Sequence, residues 1–158
     1  MIEGLLEGAH RYAVAANALM CYSDLAAEAE VNAAIGMSLL LKSLLPMPEE
    51  DSPESGLEYY ALGANASEDL LSLYGRIDRK VRLKLGLRDE LSLIVRKRGI
   101  LNSRSAVGRD MGNGGDNDLV YCLGRLIPRA VGYFKDVGSK NVWVCSYPAI
   151  PEAVRLRT

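Results

Sequence analysis

The most apolar stretch of the chain runs from Val31 to Leu45, VNAAIGMSLLLKSLL, and Lys42 is its only charged residue. Its apolar side chains point nearly all round a helical wheel, which is typical of a helix buried on most sides. The helix is expected to end before Pro46, because the residue before a proline disfavours the α conformation. We therefore predict a central helix that starts within a few residues of Glu28 and packs against the others.

Apolar residues at helical spacing predict a first helix over residues 5–30. Many of its core-facing positions are alanines, and such small side chains permit close approach of a neighbouring helix. Ser23 or Asp24 is expected to mark a kink or a break in this helix.

A loop rich in proline, serine and acidic residues follows over residues 46–56. Ser67 is then a candidate N-cap for a helix that begins at Glu68 and continues through Leu85. Gly86 separates this helix from the next element.

Two further helices are predicted in the second half. Asp89 is a candidate cap for a helix that ends in a basic cluster before Gly99, since bases suit the negative end of a helix dipole. After a glycine-rich segment, residues 107–117, a long amphipathic helix spans residues 119–135, with Pro128 as a candidate kink.

The segment Asn141–Tyr147, NVWVCSY, is β-branched and aromatic and is closed by Pro148, which favours a strand. The predicted fold is therefore all-α, a four- to five-helix bundle with a short C-terminal β segment. Residues 1–138 would form the bundle domain, and residues 139–158 an extension with one short strand.

Composition and length indicate one globular domain without a need for disulfides or metals. Cys21, Cys122 and Cys145 are odd in number and lie in apolar surroundings, so we expect buried free thiols in a reducing compartment. The acidic start MIEGLLEG is unlike a signal peptide, and no apolar run is long enough to span a bilayer. A cytoplasmic protein without membrane contact is the expectation.

Charge is divided unevenly along the chain. Residues 1–74 contain two bases and twelve acids, whereas residues 75–158 contain seventeen bases and eight acids. The two parts either form complementary faces, within one molecule or across a dimer, or leave a basic surface for an acidic partner such as nucleic acid.

The basic stretch of residues 76–109 is the strongest functional signal, because bases on helices can form a positive surface that meets phosphates. The alternative is a solvated or acid-paired face. Arg82, Lys84 and Arg88 belong to the stretch. The candidate partner-binding residues are Arg76, Arg79, Lys80, Arg96, Lys97, Arg98, Arg104 and Arg109.

Catalytic and metal-binding patterns are weak. His10 is the single histidine, so any nucleophile–histidine pair would have to use it, and we expect a structural or surface residue. One histidine and three scattered cysteines do not form a zinc motif, and the glycine-rich GRDMGNGG lacks the ending of a phosphate-binding loop. We predict no catalytic residue, metal or cofactor.

The segment SEDLLSLYGRID, residues 67–78, preceded by the apolar MSLLLKSLL and a polar loop, resembles the HEPN domains. The resemblance covers residues 5–134 in helix order and 31–78 in detail. It implies an all-α bundle, commonly homodimeric, of a kind found in RNA-cutting toxins, in antiviral systems and in non-catalytic relatives. The nuclease members carry an arginine followed shortly by a histidine, and here no histidine follows Arg104 or Arg109.

These observations favour a non-catalytic helical protein, expected to be a homodimer, that binds a protein or RNA through a basic surface, with a phage-defence or counter-defence system as its setting. Two alternatives remain open. One is an atypical HEPN-type ribonuclease that uses Arg104, Arg109 and nearby carboxylates. The other is a structural homo-oligomeric subunit.

Overall fold

The computed structural model describes residues 3–46, 69–101 and 117–147, and these residues form an all-α, bundle-like structure. A 3₁₀ turn, Ser23–Leu25, joins the first two helices. The helices of the described residues are α1 Gly4–Leu19, α2 Ala26–Ser43, α3 Leu70–Arg76, α4 Arg79–Leu85, α5 Leu91–Lys97, α6 Asp118–Asp136 and α7 Val142–Ser146.

Helix α2 lies at the centre, as predicted for residues 31–45. It packs against α1, α3 and α6, and none of the residues 31–45 is exposed. The contact with α1 is close because small side chains meet there. The fully buried alanines of the two helices are Ala9, Ala13, Ala16, Ala29, Ala33 and Ala34.

The break predicted at Ser23 or Asp24 is confirmed, although the first helix is shorter than predicted. It ends at Leu19, and the backbone turns extended at Tyr22, with φ −118° and ψ 116°, before the 3₁₀ turn. Residues 21–24 are all exposed, so packing does not hold them in one continuous helix.

The helix predicted to run from Glu68 to Leu85 is divided into α3 and α4. Ile77 and Asp78 are extended, with ψ of 136° and 139°, and the Asp78 carboxylate accepts a hydrogen bond from the Lys80 N–H at 2.7 Å. Asp78 is therefore an N-cap inside the predicted helix. Ser67, the expected cap of α3, lies outside the described residues.

Asp69 caps α3 instead. Its carboxylate accepts the Ser72 N–H at 2.7 Å, and this bond is the main reason why the pKa of Asp69 lies below its ordinary value. The positive charge of Arg98 lowers the pKa further. The start of α3 therefore lies near the end of α5.

Gly86 ends α4 as predicted, in a left-handed conformation with φ 68° that a glycine adopts without strain. The expected cap at Asp89 is wrong. Glu90 occupies the N-cap position of α5, and its side chain makes no capping hydrogen bond.

The long helix predicted for residues 119–135 is confirmed as α6, and it continues across Pro128. Its core face includes Leu119, Leu123, Ile127 and Phe134, each with at most 2% of its surface exposed. The spacing of these residues follows the period of a helix, which is why the sequence predicted α6 well.

The strand predicted for Asn141–Tyr147 is wrong, because this segment forms the short helix α7. The Asn141 side chain accepts the Val144 N–H at 3.1 Å and so caps the helix. A helical turn pairs its own backbone groups, whereas a lone strand would leave a row of them unpaired. Val144 is fully buried, and Trp143 and Tyr147 pack against the core, whereas Val142 is 83% exposed.

Helix α7 packs on α1 through an aromatic cluster. The ring of His10, which is buried, lies 5.4 Å from the Trp143 ring and 5.9 Å from the Tyr147 ring, measured between centroids. The Lys135 ammonium donates to the Tyr147 carbonyl, and the Ser139 hydroxyl donates to the Glu3 carboxylate. His10 therefore has a structural position, as expected.

The prediction of three buried thiols is correct only for Cys122. Cys21 lies in the exposed turn after α1 and Cys145 lies on the outer side of α7. Apolar neighbours in sequence did not imply burial, because neighbours on a helix point in different directions.

We expect a thiol reagent such as Ellman's reagent to modify Cys21 and Cys145 rapidly in the native protein and Cys122 only after unfolding. Burial and then the negative charge of Glu90 raise the pKa of Cys122, and both disfavour the reactive thiolate. Stopped-flow absorbance with and without denaturant measures this. The variant Cys122→Ala should keep the native fast phase unchanged, and a native protein with all its thiols reacting rapidly would contradict the prediction.

Candidate functional site

A basic surface covers α4 and the end of α3. Leu85 is the only buried residue of α4, and most of the helix faces solvent because it lies over the end of α6 rather than inside the bundle. We call this region the α4 basic surface; it consists of Arg76, Arg79, Lys80, Arg82 and Lys84.

Two of these cations are held by aromatic rings. The Arg82 guanidinium lies 4.9 Å from the centroid of the Tyr74 ring, and the Lys84 ammonium lies 5.4 Å from that of Tyr133. Lys84 also forms an exposed ion pair with Asp136 at 2.9 Å. Arg79 and Lys80, in the first turn of α4, are exposed.

The candidates on α5 lie apart from the α4 basic surface. Arg98 is close to Asp69 at the start of α3, whereas Arg76 lies at its end, about 10 Å away along the helix. The structure thus places Arg76, Arg79 and Lys80 together, and Arg96, Lys97 and Arg98 in a second group. Arg104 and Arg109 lie outside the described residues.

Lys97 is held in a largely buried ion pair that stabilises the fold. Its ammonium donates to the carboxylate of Glu30 on α2, and the two side chains are only 16% and 4% exposed. Breaking such a buried pair costs about 3–5 kcal/mol. A phosphate would have to offset that cost before Lys97 could bind it.

Arg96 is also paired but remains accessible. It bonds Asp118 on α6 at 3.0 Å, with side chains 58% and 54% exposed. Exposed pairs of this kind contribute about 0–1 kcal/mol, far less than the buried pair of Lys97.

A groove of about 430 Å³ lies between α5 and α6. Two ion pairs cross it, Arg96–Asp118 at 3.0 Å and Arg125–Glu90 at 3.1 Å. Leu93 and Ser92 complete its α5 wall, and Tyr121 of α6, 43% exposed, lies between Asp118 and Arg125 in sequence.

The polar side of α6 carries further functional candidates, which lie outside the basic stretch of residues 76–109. Tyr121, Arg125, Arg129 and Tyr133 recur every four residues, which places them along one side of the helix over about 18 Å. We call this set the α6 stripe. Its signal in the sequence was the four-residue spacing of two arginines flanked by two tyrosines on the polar side of the helix.

Arg129 connects the α6 stripe to α4. Its guanidinium donates to the Leu85 carbonyl at 3.4 Å, and a Cβ at Gly86 would come within 2.9 Å of the same group. A glycine at position 86 therefore allows both the left-handed turn at the end of α4 and the close approach of the Arg129 guanidinium.

The charged and aromatic side chains of the groove are suited to binding a ligand. The raised pKa of Cys122, next to Glu90, keeps the thiol protonated at neutral pH, so it is not an activated nucleophile. Among the described residues, no group of three or more histidine, cysteine or acidic side chains is arranged to hold a metal ion.

None of the described helices has the length and apolarity to cross a bilayer.

Comparison of the chain with protein-family models, curated proteins and solved structures finds no match. The resemblance to HEPN domains therefore stays a prediction, and function must be inferred from the residues themselves.

Proposed function

We propose that this chain is a non-catalytic RNA-binding protein that contacts backbone phosphates through the α4 basic surface. The observation that carries the proposal is the composition and exposure of α4: four of its seven residues are basic, and only Leu85 is buried. A helix with one buried residue stabilises the fold little through apolar packing, and two of its bases, Arg79 and Lys80, are exposed to a partner.

Among the described residues, no acidic side chain forms an ion pair with Arg79 or Lys80. Asp78 is used as the cap of α4, and Asp136 pairs with Lys84, which leaves Arg79 and Lys80 facing solvent on the outer turn. Phosphates of a nucleic-acid backbone are natural ligands for such cations, and binding of this kind is salt-dependent because it releases counterions.

We expect Arg79→Ala/Lys80→Ala to weaken binding of a fluorescein-labelled oligouridine about tenfold at about 50 mM salt, and to reduce the slope of log affinity against log salt by about 1.4, roughly 0.7 per lost contact with a single strand. Fluorescence anisotropy between about 50 and 200 mM salt measures both quantities.

The matched control is Arg11→Ala/Lys140→Ala, which removes the same charge from exposed sites outside the α4 basic surface. It should retain most of the affinity. Absence of binding by the wild-type chain at low salt, or an equal loss in both double variants, would refute the proposal.

An acidic protein is the second candidate partner, and a specific observation favours it. Leu83 is 54% exposed and lies one helical turn from Arg79 and Lys80, so an apolar contact is surrounded by positive charge. Protein interfaces commonly combine an apolar centre with a polar rim. Binding of polyglutamate but not of oligouridine, together with a loss in Leu83→Ser, would support this candidate instead.

The cellular location, the oligomeric state and the biological system are proposed from the sequence alone. A cytoplasmic homodimer in a phage-defence or counter-defence system follows from the HEPN resemblance and the thiol content. The ribonuclease alternative depends on Arg104 and Arg109, outside the described residues, and cleavage of RNA that is lost in Arg104→Ala or Arg109→Ala would favour it.

A further inference from the structure

We infer that the groove between α5 and α6 binds an unpaired nucleobase of single-stranded RNA, stacked on Tyr121 and flanked by Arg96 and Arg125. The inference rests on the proposed function and specifies the kind of RNA that the chain prefers.

Tyr121 has the properties of a stacking platform. Its ring is 43% exposed although the neighbouring residues Val120 and Cys122 are buried, so the helix itself holds the ring at the surface. Exposed aromatic side chains bind bases by stacking on their faces, largely irrespective of sequence.

The groove supplies space and charge around this ring. Its volume of about 430 Å³ lies within the range of small-ligand sites. Arg125 pairs with Glu90 through one terminal nitrogen, Nη2, which lies 3.1 and 3.2 Å from the two carboxylate oxygens. The Arg125 side chain is 46% exposed, so its other N–H groups are placed to donate to a phosphate oxygen.

Carboxylates in the same groove limit what can bind. Asp89, Glu90 and Asp118 also line it. Two of the three are paired with Arg125 and Arg96, so an isolated anion gains little there. A nucleotide gains stacking on Tyr121 in addition, which is why we assign a base with its phosphate rather than a free anion.

The groove is continuous with the α4 basic surface. Residues 86–90 connect the end of α4 directly to the groove wall, and the exposed Arg88 lies within this connection. On α6, Arg129 contacts the end of α4, and Arg125, one turn away, lies in the groove. One strand can therefore contact both, with its phosphates on α4 and a base at Tyr121.

The test compares oligouridine with an RNA duplex of equal length by fluorescence anisotropy at constant salt. We expect Tyr121→Ala to weaken oligouridine binding at least about fivefold, the lower end of base–aromatic stacking, and duplex binding less than about twofold. Tyr121→Phe keeps the ring and should retain the affinity. Tyr22→Ala removes another exposed tyrosine, outside the groove, and serves as the control.

Two other results would contradict the nucleobase site. Unchanged oligouridine binding by Tyr121→Ala, or an equal loss for duplex and single strand, overturns the nucleobase site while the α4 proposal stands. If the wild-type chain binds neither RNA, or binds polyglutamate alone, both proposals fall.

Discussion

Lys97→Ala is expected to lower the free energy of unfolding by about 3–5 kcal/mol, the cost of breaking a buried ion pair. The substitution leaves the Glu30 carboxylate, which is 4% exposed, without the ammonium that faces it. A buried charge without a partner loses its hydration and gains nothing in return. Urea denaturation followed by far-ultraviolet circular dichroism measures the change.

The adjacent residue provides the control. Arg96→Ala removes an arginine of the same helix whose pair with Asp118 is exposed, so we expect a loss of about 0–1 kcal/mol. The double variant Glu30→Leu/Lys97→Met should recover most of the stability, since apolar replacement of a buried pair is often neutral. Equal effects of Lys97→Ala and Arg96→Ala would contradict this account of the pair.

Gly36→Val should lower the free energy of unfolding by about 3 kcal/mol, the upper end of the cost of overpacking a core. A Cβ at Gly36 would lie 2.6 Å from Leu123 Cδ2, 3.1 Å from the Ala9 carbonyl oxygen and 3.2 Å from Tyr12 Cβ. The leucine side chain can move, but the backbone of α1 can move only by separating from α2. The two γ-methyl groups of valine add to the conflict.

The same substitution at Gly132 is the matched control. Gly132 also lies in a helix, α6, but a Cβ there meets nothing within 4 Å. Gly132→Val should therefore change stability by less than about 0.5 kcal/mol, because glycine and valine differ little in helix propensity. Thermal and urea unfolding of the two variants compare them directly, and similar losses at both positions would contradict a close α1–α2 contact at Gly36.

The elements with a strong apolar period were predicted well. Residues 119–135 contain apolar side chains at helical spacing over several turns, residues 31–45 are apolar nearly all round, and long helices form over both segments in the structure. The sequence did not predict the helix boundaries that depend on a single polar side chain. Asp78 could equally continue a helix or cap one, and its 2.7 Å bond to the Lys80 N–H exists only when the chain turns there.

The sequence also predicted where bases cluster but not which of them remain accessible. Lys97 and Arg98 are adjacent in the chain, yet Lys97 points to Glu30 while Arg98 is exposed near Asp69. The partner of Lys97 is 67 residues away. No local pattern identifies such a pair, because it depends on how α5 packs against α2.

The sequence by itself determined the helical class, the central position of α2 and the uneven distribution of charge, because each depends on composition and on short-range periodicity. Tertiary structure decided the rest. It made Asn141–Tyr147 a helical turn, because Val144 gains a buried position and the backbone is paired without a neighbouring strand. It also placed Tyr121 and Arg125 beside Arg96, since a groove exists only where two helices that are distant in the chain lie side by side.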